Sequence, residues 1–382
     1  MRLLMITRKA DKKDALAGFT YDWVKKIGEK TDNLKVICLE KGDISDLPEN
    51  VEIYSLGGEK GFGKLRKFWN FQKLAFKLMS KVDGVFCHMN PEYTILAAPY
   101  AKLFRKKIIS WYTHKKVTWK LRLINLLANK IITASEESCR LKDRGKIEAV
   151  GHGIDTGIFT PVILSQQAKN PEDNEIDTGS FAETALGRQR RVQDDGTANF
   201  KFIILSIGRI SPVKDYETLI NAIEILIQKE IKNLELQIIG GPGLKSQQEY
   251  FEKLKQSVKE KKLENYIKFL GPVSHNQILS YYQNCDLFIN LSRTGSIDKT
   301  VLEAMACEKL VLTSNEAFKD ILKSERLFFS GKAEELSEKI IWIMNLPFEE
   351  RGLIGKKLRE KIIKNHNLDN LIDKILSLYE SK

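Results

Sequence analysis

The feature that most narrows how this chain can fold is an alternation of apolar, strand-like runs with stretches at helical spacing. The first half reads "RLLMI", a polar loop, the helical "FTYDWVKKIGEK", then "LKVICLE", "VDGVFCHMN", "KKIISWYTH" and "KIITAS", with further helical stretches between them. The second half repeats the scheme with "FIILSIG", "LELQIIGG", "YIKFLG", "CDLFINLS" and "LVLTSN". Strands separated by helices pair in parallel, because each crossover helix returns the chain to the same end of the sheet. The expected class is α/β, with two doubly wound, Rossmann-like sheets. At 382 residues the chain exceeds what one core usually fills, and 42% hydrophobic residues are enough for two.

From about Leu164 to Asn199 the alternation lapses into polar text, too poor in apolar residues to offset the entropy of ordering it. The chain accordingly divides into a first domain over 1–160, a polar linker or insert over 161–200 and a second domain over 201–364. A terminal helix at about 365–382 is expected to pack back on the first domain. Two such domains joined by a linker are expected to face each other across a cleft, with the carboxyl ends of their strands toward it.

The formal net charge is +12, and the first half holds all of the excess. Residues 1–150 carry 30 Lys and Arg against 17 Asp and Glu, a balance of +13, while the remaining 232 residues carry 32 against 33. One domain is expected to face something anionic: nucleic acid, a phosphorylated acceptor or an acidic membrane surface. No apolar run approaches the roughly 20 residues of a membrane-spanning helix. The start "MRLLMITRKADKK" has too short an apolar centre for a signal peptide, so the expected location is cytoplasmic. The five cysteines, Cys38, Cys87, Cys139, Cys285 and Cys307, lack any C-x-x-C pair and sit in apolar contexts, and are expected to be reduced and buried.

The second half carries the sharper motifs. In "SIGRISPVKD", Ser206 to Asp215, a strand-to-helix turn holds Gly208, Arg209 and Lys214. Such a turn already offers free backbone N–H groups and the positive end of a helix dipole, so two added cations make it an anion site. The next strand-like run, "LQIIGGPG", ends in Gly240, Gly241 and Gly243, where missing side chains let a nucleotide approach the backbone. In "NLSRTGSIDKTVLEAMAC", Asn290 to Cys307, Glu303 lies among apolar residues of a helix that begins near Asp298. A buried carboxylate is costly without hydrogen-bond donors, and a pair of sugar hydroxyls would supply them. The amides of Ser296, Ile297, Asp298 and Lys299 would meet hydroxyls or phosphate oxygens.

These motifs resemble those of the retaining nucleotide-sugar glycosyltransferases of family 4, which have the two-domain GT-B architecture; the resemblance is densest from Ser206 to Asn315. It implies that Arg209 and Lys214 grip the donor diphosphate and that Glu303, in the string "EAMAC", binds the nucleotide ribose. "GHGID", Gly151 to Asp155, followed by Phe159 and Pro161, resembles the family's entry to the interdomain linker. The family's E-x7-E pattern is broken here, because Gly295 stands where its first glutamate would be. Recognition of the donor sugar then falls to Asp298 or to the amides of Ser296 to Lys299. In the first domain, Gly18 matches the family's glycine-rich loop, and His114 the histidine that touches the donor sugar. His88, at a strand end, is a candidate for the acceptor pocket. His152 is read as shaping a turn, and His275 and His366 as surface histidines without a role.

The resemblance implies transfer of a hexose-type sugar from a nucleotide-diphosphate sugar to a glycan or lipid-linked acceptor, with retention of configuration, in polysaccharide or glycolipid synthesis. Charge growing on the leaving phosphate would be met by Arg209, Lys214 and helix-end amides. With no D-x-D at a strand end and no cluster at ligand spacing, neither a metal nor another cofactor is expected. A sugar-nucleotide 2-epimerase of the same architecture is one alternative. A basic nucleic-acid-binding protein is another, but no recognised nucleic-acid module is present and no nucleic acid is expected as partner. The segment Lys60 to Lys81 interleaves Lys and Arg with Phe68, Trp69, Phe71 and Phe76. It reads either as an element lying on an anionic membrane, holding the enzyme peripherally at the inner face, or as a domain helix with solvated lysines.

Overall fold

The computed structural model describes residues 1–14, 18–143, 145–162, 201–275 and 277–380. The polar segment from about Leu164 to Asn199, and its reading as a linker or insert, lie outside the described residues. The chain divides into two compact units, one of Met1–Asp155, Ser274–Asn276 and Asn365–Lys382, the other of Thr156–Val273 and Gln277–Lys364.

The first unit contains strands β1 (Arg2–Ala10), β2 (Asn33–Lys41), β3 (Val51–Ser55), β4 (Gly84–His88), β5 (Lys107–Trp111), β6 (Lys130–Thr133) and β7 (Ile147–Ala149). They form one parallel sheet in the order β3-β2-β1-β4-β5-β6-β7. Helices α1 (Gly18–Glu29), α2 (Lys64–Met79), α3 (Pro91–Leu103) and α4 (Trp119–Leu127) connect them. Side chains along β1 alternate between two cores. Leu4 and Ile6 pack with Phe71 and Ala75 of α2, Ala97 and Ala101 of α3, and Leu121 and Ile124 of α4. Leu3 and Met5 pack instead with Trp23, Val24 and Ile27 of α1 and with Leu371, Ile372 and Ile375 of the C-terminal helix Leu368–Glu380. A strand covered on both faces must be apolar at every position, which is why "LLMI" shows no polar alternation. Each such fully buried side chain contributes roughly 1.5–3 kcal/mol.

The C-terminal helix is tied to this unit through its entry. Ile154 pairs with Asn367 in a parallel bridge. The Ile154 N–H donates to the His366 carbonyl at 2.8 Å and the Leu368 N–H to the Ile154 carbonyl at 2.9 Å.

In the second unit, β8 (Phe202–Ile207), β9 (Leu234–Ile239), β10 (Ile267–Gly271), β11 (Leu287–Asn290) and β12 (Leu310–Thr313) form a parallel sheet in the order β10-β9-β8-β11-β12. Its helices are α5 (Tyr216–Gln228), α6 (Lys245–Glu260), α7 (Ile278–Asn284), α8 (Lys299–Ala306), α9 (Lys319–Leu322), α10 (Ala333–Asn345) and α11 (Phe348–Asn365). In each sheet the first strand is interior, and the chain adds later strands first on one side and then on the other. Where the direction reverses, between β1 and β4 and between β8 and β11, the connections diverge and leave a crevice at the carboxyl ends of the strands.

No helix among the described residues is long and apolar enough to cross a membrane. All five cysteines are free and buried. Burial pushes the Cys38 and Cys285 thiols up to about 12, so they serve packing rather than nucleophilic chemistry.

Candidate functional site

The β8/β11 crevice of the second unit is built from three turns. The first follows β8. Gly208 and Arg209 lead into a short 3-10 turn, Pro212–Lys214, and Asp215, at φ +51, redirects the chain into α5. The second follows β9, where Gly240 adopts φ +134. A Cβ at Gly240 would stand 2.0 Å from the Gly208 carbonyl oxygen, so only glycine lets the two turns meet. The Ile210 N–H donates to the Gly241 carbonyl at 3.0 Å, and a Cβ at Gly243 would press on Arg209 Cδ at 2.8 Å. The glycines therefore pack the β9 turn against the cation-bearing β8 turn.

The third turn joins β11 to α8. Asp298 immediately precedes α8 and, with its side chain turned away from the helix amides, is the hub of this turn. Its Oδ1 accepts from Lys214 Nζ at 2.7 Å and its Oδ2 from Asn315 Nδ2 at 2.9 Å, and the same Asn315 amide reaches the Ser296 carbonyl at 2.8 Å. A second strut runs beside it: Arg293 pairs with Asp215, and the Arg293 N–H donates to the Val213 carbonyl at 2.8 Å. Gly295 has φ +64, a conformation that would strain the glutamate found there in the resembling family. Ile297 is buried, and Ser296 and Lys299 are partly exposed at the start of α8.

Glu303 differs from its expected condition. It is buried, but its donors come from the protein: Tyr282 Oη donates to Oε2 at 2.7 Å, and Lys299 Nζ lies 3.3 Å from Oε1. Burial, reinforced by the adjacent Glu303 carboxylate, drives the Tyr282 phenol well above its ordinary pKa, which keeps it a donor. Sugar hydroxyls are not required to make this carboxylate tolerable, because side chains i−4 and far up the chain already do so. The two motif cations also differ. Lys214 is ion-paired, whereas Arg209 is exposed and has no ion-pair partner among the described residues.

In the first unit, Gly18 is the first residue of α1, and a Cβ there would stand 2.5 Å from the His275 Cβ. His88 ends β4 beside β1; it is fully buried, its Nδ1 lies 3.2 Å from Thr7 Oγ1, and its ring lies 4.7 Å from that of Trp23. His114 is exposed in the loop after β5, where its Nδ1 accepts from the Lys116 N–H at 3.1 Å. Two other histidines correct the sequence reading. His275 is not a surface residue: its Nε2 lies 2.9 Å from Asp22 Oδ2, and both side chains are largely covered. His366 is buried, its Nδ1 accepts from the His152 N–H at 3.0 Å, and desolvation lowers its pKa to about 4. Asn315, Arg293, Asp215 and Tyr282 were not singled out in the sequence. Only Asn315 had a visible signal, a polar residue just past the apolar strand "LVLT".

Among the described residues, no group of three or more His, Cys, Asp or Glu is arranged to hold a metal ion. The chemistry on offer in the second unit is anion recognition by an arginine, a shared lysine and backbone amides at a strand-end crevice.

Residues 188–369 match the family model described as "Glycosyl transferases group 1". A stretch of 186 residues is 26% identical to the mannosylfructose-phosphate synthase of Agrobacterium fabrum, covering 47% of this chain and 40% of that protein. Another of 165 residues is 30% identical to the alpha-monoglucosyldiacylglycerol synthase of Acholeplasma laidlawii, covering 42% and 39%. The matches span about 40% of the length of these curated relatives. Among solved structures, HepE of Anabaena, determined with UDP, is similar over 100% of both chains with a TM-score of 0.73 and 17% identity. It has also been determined with UDP-glucose. At that identity the likeness is one of fold.

Proposed function

We propose, from the match of residues 188–369 to the group 1 glycosyltransferase model and from two Rossmann-like units in a fold like that of HepE, that the chain transfers a sugar from a nucleotide-diphosphate donor to a glycan or lipid-linked acceptor with retention of configuration. The observation that carries this reading is the exposed, unpaired Arg209, set between glycine turns at the carboxyl end of β8. A pyrophosphate seated there meets a guanidinium able to bind two oxygens at once, with the start of α8 close by. As the glycosidic bond breaks, charge builds on the leaving phosphate, and a fixed cation stabilises that state more than the ground state. Lys214 shares this role while held by Asp298, and Glu303 takes the ribose. Gly18 and His114 belong to the sugar side of the donor, and His88 to the acceptor pocket.

UDP is the favoured nucleotide, because the solved neighbour HepE was determined with UDP and UDP-glucose. Transfer needs no divalent metal ion or other cofactor on this reading, since protein cations take up the phosphate charge. Five free, buried thiols suit a reducing compartment, and we place the enzyme in the cytoplasm, working in glycolipid or polysaccharide synthesis. Thermal-shift screening against UDP, GDP, ADP and their sugars tests donor binding, because a ligand of the native state raises the melting temperature. Nuclear magnetic resonance of the product then reads its anomeric configuration. Absence of stabilisation by every nucleoside diphosphate, or an inverted product, overturns the corresponding part.

A further inference from the structure

The excess charge of the chain is concentrated in one stretch of sequence. Residues 60–135 contain 16 Lys and Arg and two carboxylates, Asp83 and Glu92, a balance of +14 against +12 for the whole chain. That window holds α2, α3 and α4, the three helices that share a core on the same side of the sheet.

Helix α2 carries two apolar stripes. Phe71, Ala75, Leu78 and Met79 are buried toward the sheet. Leu65, Trp69 and Phe76 form the other, on a different side of the helix, and remain 79%, 62% and 55% exposed. Lys64, Arg66, Lys73 and Lys77 border this second stripe; all are exposed, and none has a carboxylate partner among the described residues. The apolar surface continues onto the end of α3, where Phe76 meets Phe104 edge to face at 5.7 Å and exposed Leu103 stands next to it. Trp119 and Leu126 of α4 are exposed as well.

A helix that only roofed a sheet would be polar on its outer side, and scattered lysines alone would be a solvated face. Large apolar side chains framed by cations without carboxylate partners match a surface that is anionic at its boundary and apolar beneath it, with Trp at the level between. A nucleic acid would use the cations but leave Leu65 and Leu103 without a role. A second copy of the same face would be repelled by its own charge. We propose that α2, with the adjoining end of α3, docks the protein on an acidic phospholipid surface. This docking goes beyond the transfer reaction and does not depend on it.

The test is co-sedimentation without any sugar nucleotide, using vesicles of phosphatidylglycerol and phosphatidylcholine in equal parts and vesicles of phosphatidylcholine alone. The protein should pellet with the acidic vesicles at low salt with a blue shift in tryptophan emission, and stay in solution with the neutral ones. Because exposed charges act over about one Debye length, salt near 0.5 M should release most of it. Replacing Lys64, Arg66, Lys73 and Lys77 together by Gln should weaken partition by roughly 10²–10³-fold, about five-fold per cation. Trp69→Ser should abolish most of the blue shift, and both variants should keep the native melting temperature because the side chains are exposed. The proposal fails if acidic vesicles do not retain the protein at low salt, if neutral vesicles retain it equally, or if the quadruple variant binds as well. It also fails if Trp69 becomes shielded only through self-association, or if single-stranded nucleic acid at moderate salt displaces the vesicles.

Discussion

The ammonium of Lys214 lies 2.7 Å from Oδ1 of Asp298, a residue 84 positions later. Their side chains are only 14% and 16% exposed, so the pair is sheltered from the solvent that makes most surface ion pairs negligible. It fastens the turn after β8 to the turn before α8, the two walls of the β8/β11 crevice. One cation of the motif is partly committed to holding the site together, and Arg209 is not.

A double-mutant cycle should expose this division. Lys214→Ala and Asp298→Ala are each expected to destabilise by about 1–3 kcal/mol, since either leaves a sheltered charge unpaired, and to be less than additive together. Denaturant midpoints give the coupling energy. A value indistinguishable from zero would show that the pair does not fasten the two turns.

Arg209→Ala should behave differently. With no ion pair to lose, the melting temperature should not move, while transfer should fall by about 10²–10³-fold through lost stabilisation of the departing phosphate. Steady-state kinetics beside a melting curve separates the two effects, and near-normal kcat would remove Arg209 from the mechanism.

Tyr282→Phe should cost roughly 1–3 kcal/mol, because Glu303 Oε2 would stay buried without the hydroxyl that donates to it. Urea titration measures the loss. An unchanged midpoint would mean that the carboxylate finds another donor.

Gly240→Ala should be among the most damaging single changes, expected to exceed about 2 kcal/mol. Its φ of +134 and a Cβ placed 2.0 Å from the Gly208 carbonyl oxygen leave a backbone clash that no rotamer relieves. Gly241→Ala, whose Cβ would meet only Pro272 Cδ at 3.9 Å, serves as the tolerant control. Equal melting temperatures for the two variants would contradict the close approach of the turns.

His366 predicts a pH dependence of stability. Its pKa is lowered by burial to about 4, below the ordinary value of 6.5, so the native ring stays neutral while the unfolded chain takes up a proton. Stability from this group is complete above about 6.5 and is lost as the pH falls toward 4, by about 3 kcal/mol in all. His366→Asn keeps an acceptor for the His152 N–H and removes the titration, so its denaturation midpoints should fall less steeply over that window. Parallel curves for the two proteins would rule the histidine out.

The fold was legible because parallel strands buried on both faces leave continuous apolar runs: "FIILSI" is β8, with its central four residues buried. The start of α8 at Asp298 was also visible, as a polar residue ahead of a helical run. What could not be read were partnerships made at long range. His366 sits in "KNHNLDN", with asparagines on both sides, and is buried where Ile154 pairs with Asn367. Lys214 looked like a free cation because Asp298 meets it only after β8 and β11 become neighbours. In α2, composition showed both lysines and aromatics but not which aromatics the sheet would leave uncovered.

The C-terminal helix also sets an order of events during synthesis. Trp23, Val24 and Ile27 leave the ribosome early, but Leu371, Ile372 and Ile375, which complete their core, follow β7 by more than two hundred residues. At a translation rate of about 5–20 residues per second, one side of the nascent sheet waits roughly 10–40 s for its cover. Through that interval the first unit is a half-clad intermediate with an apolar side open to chaperones.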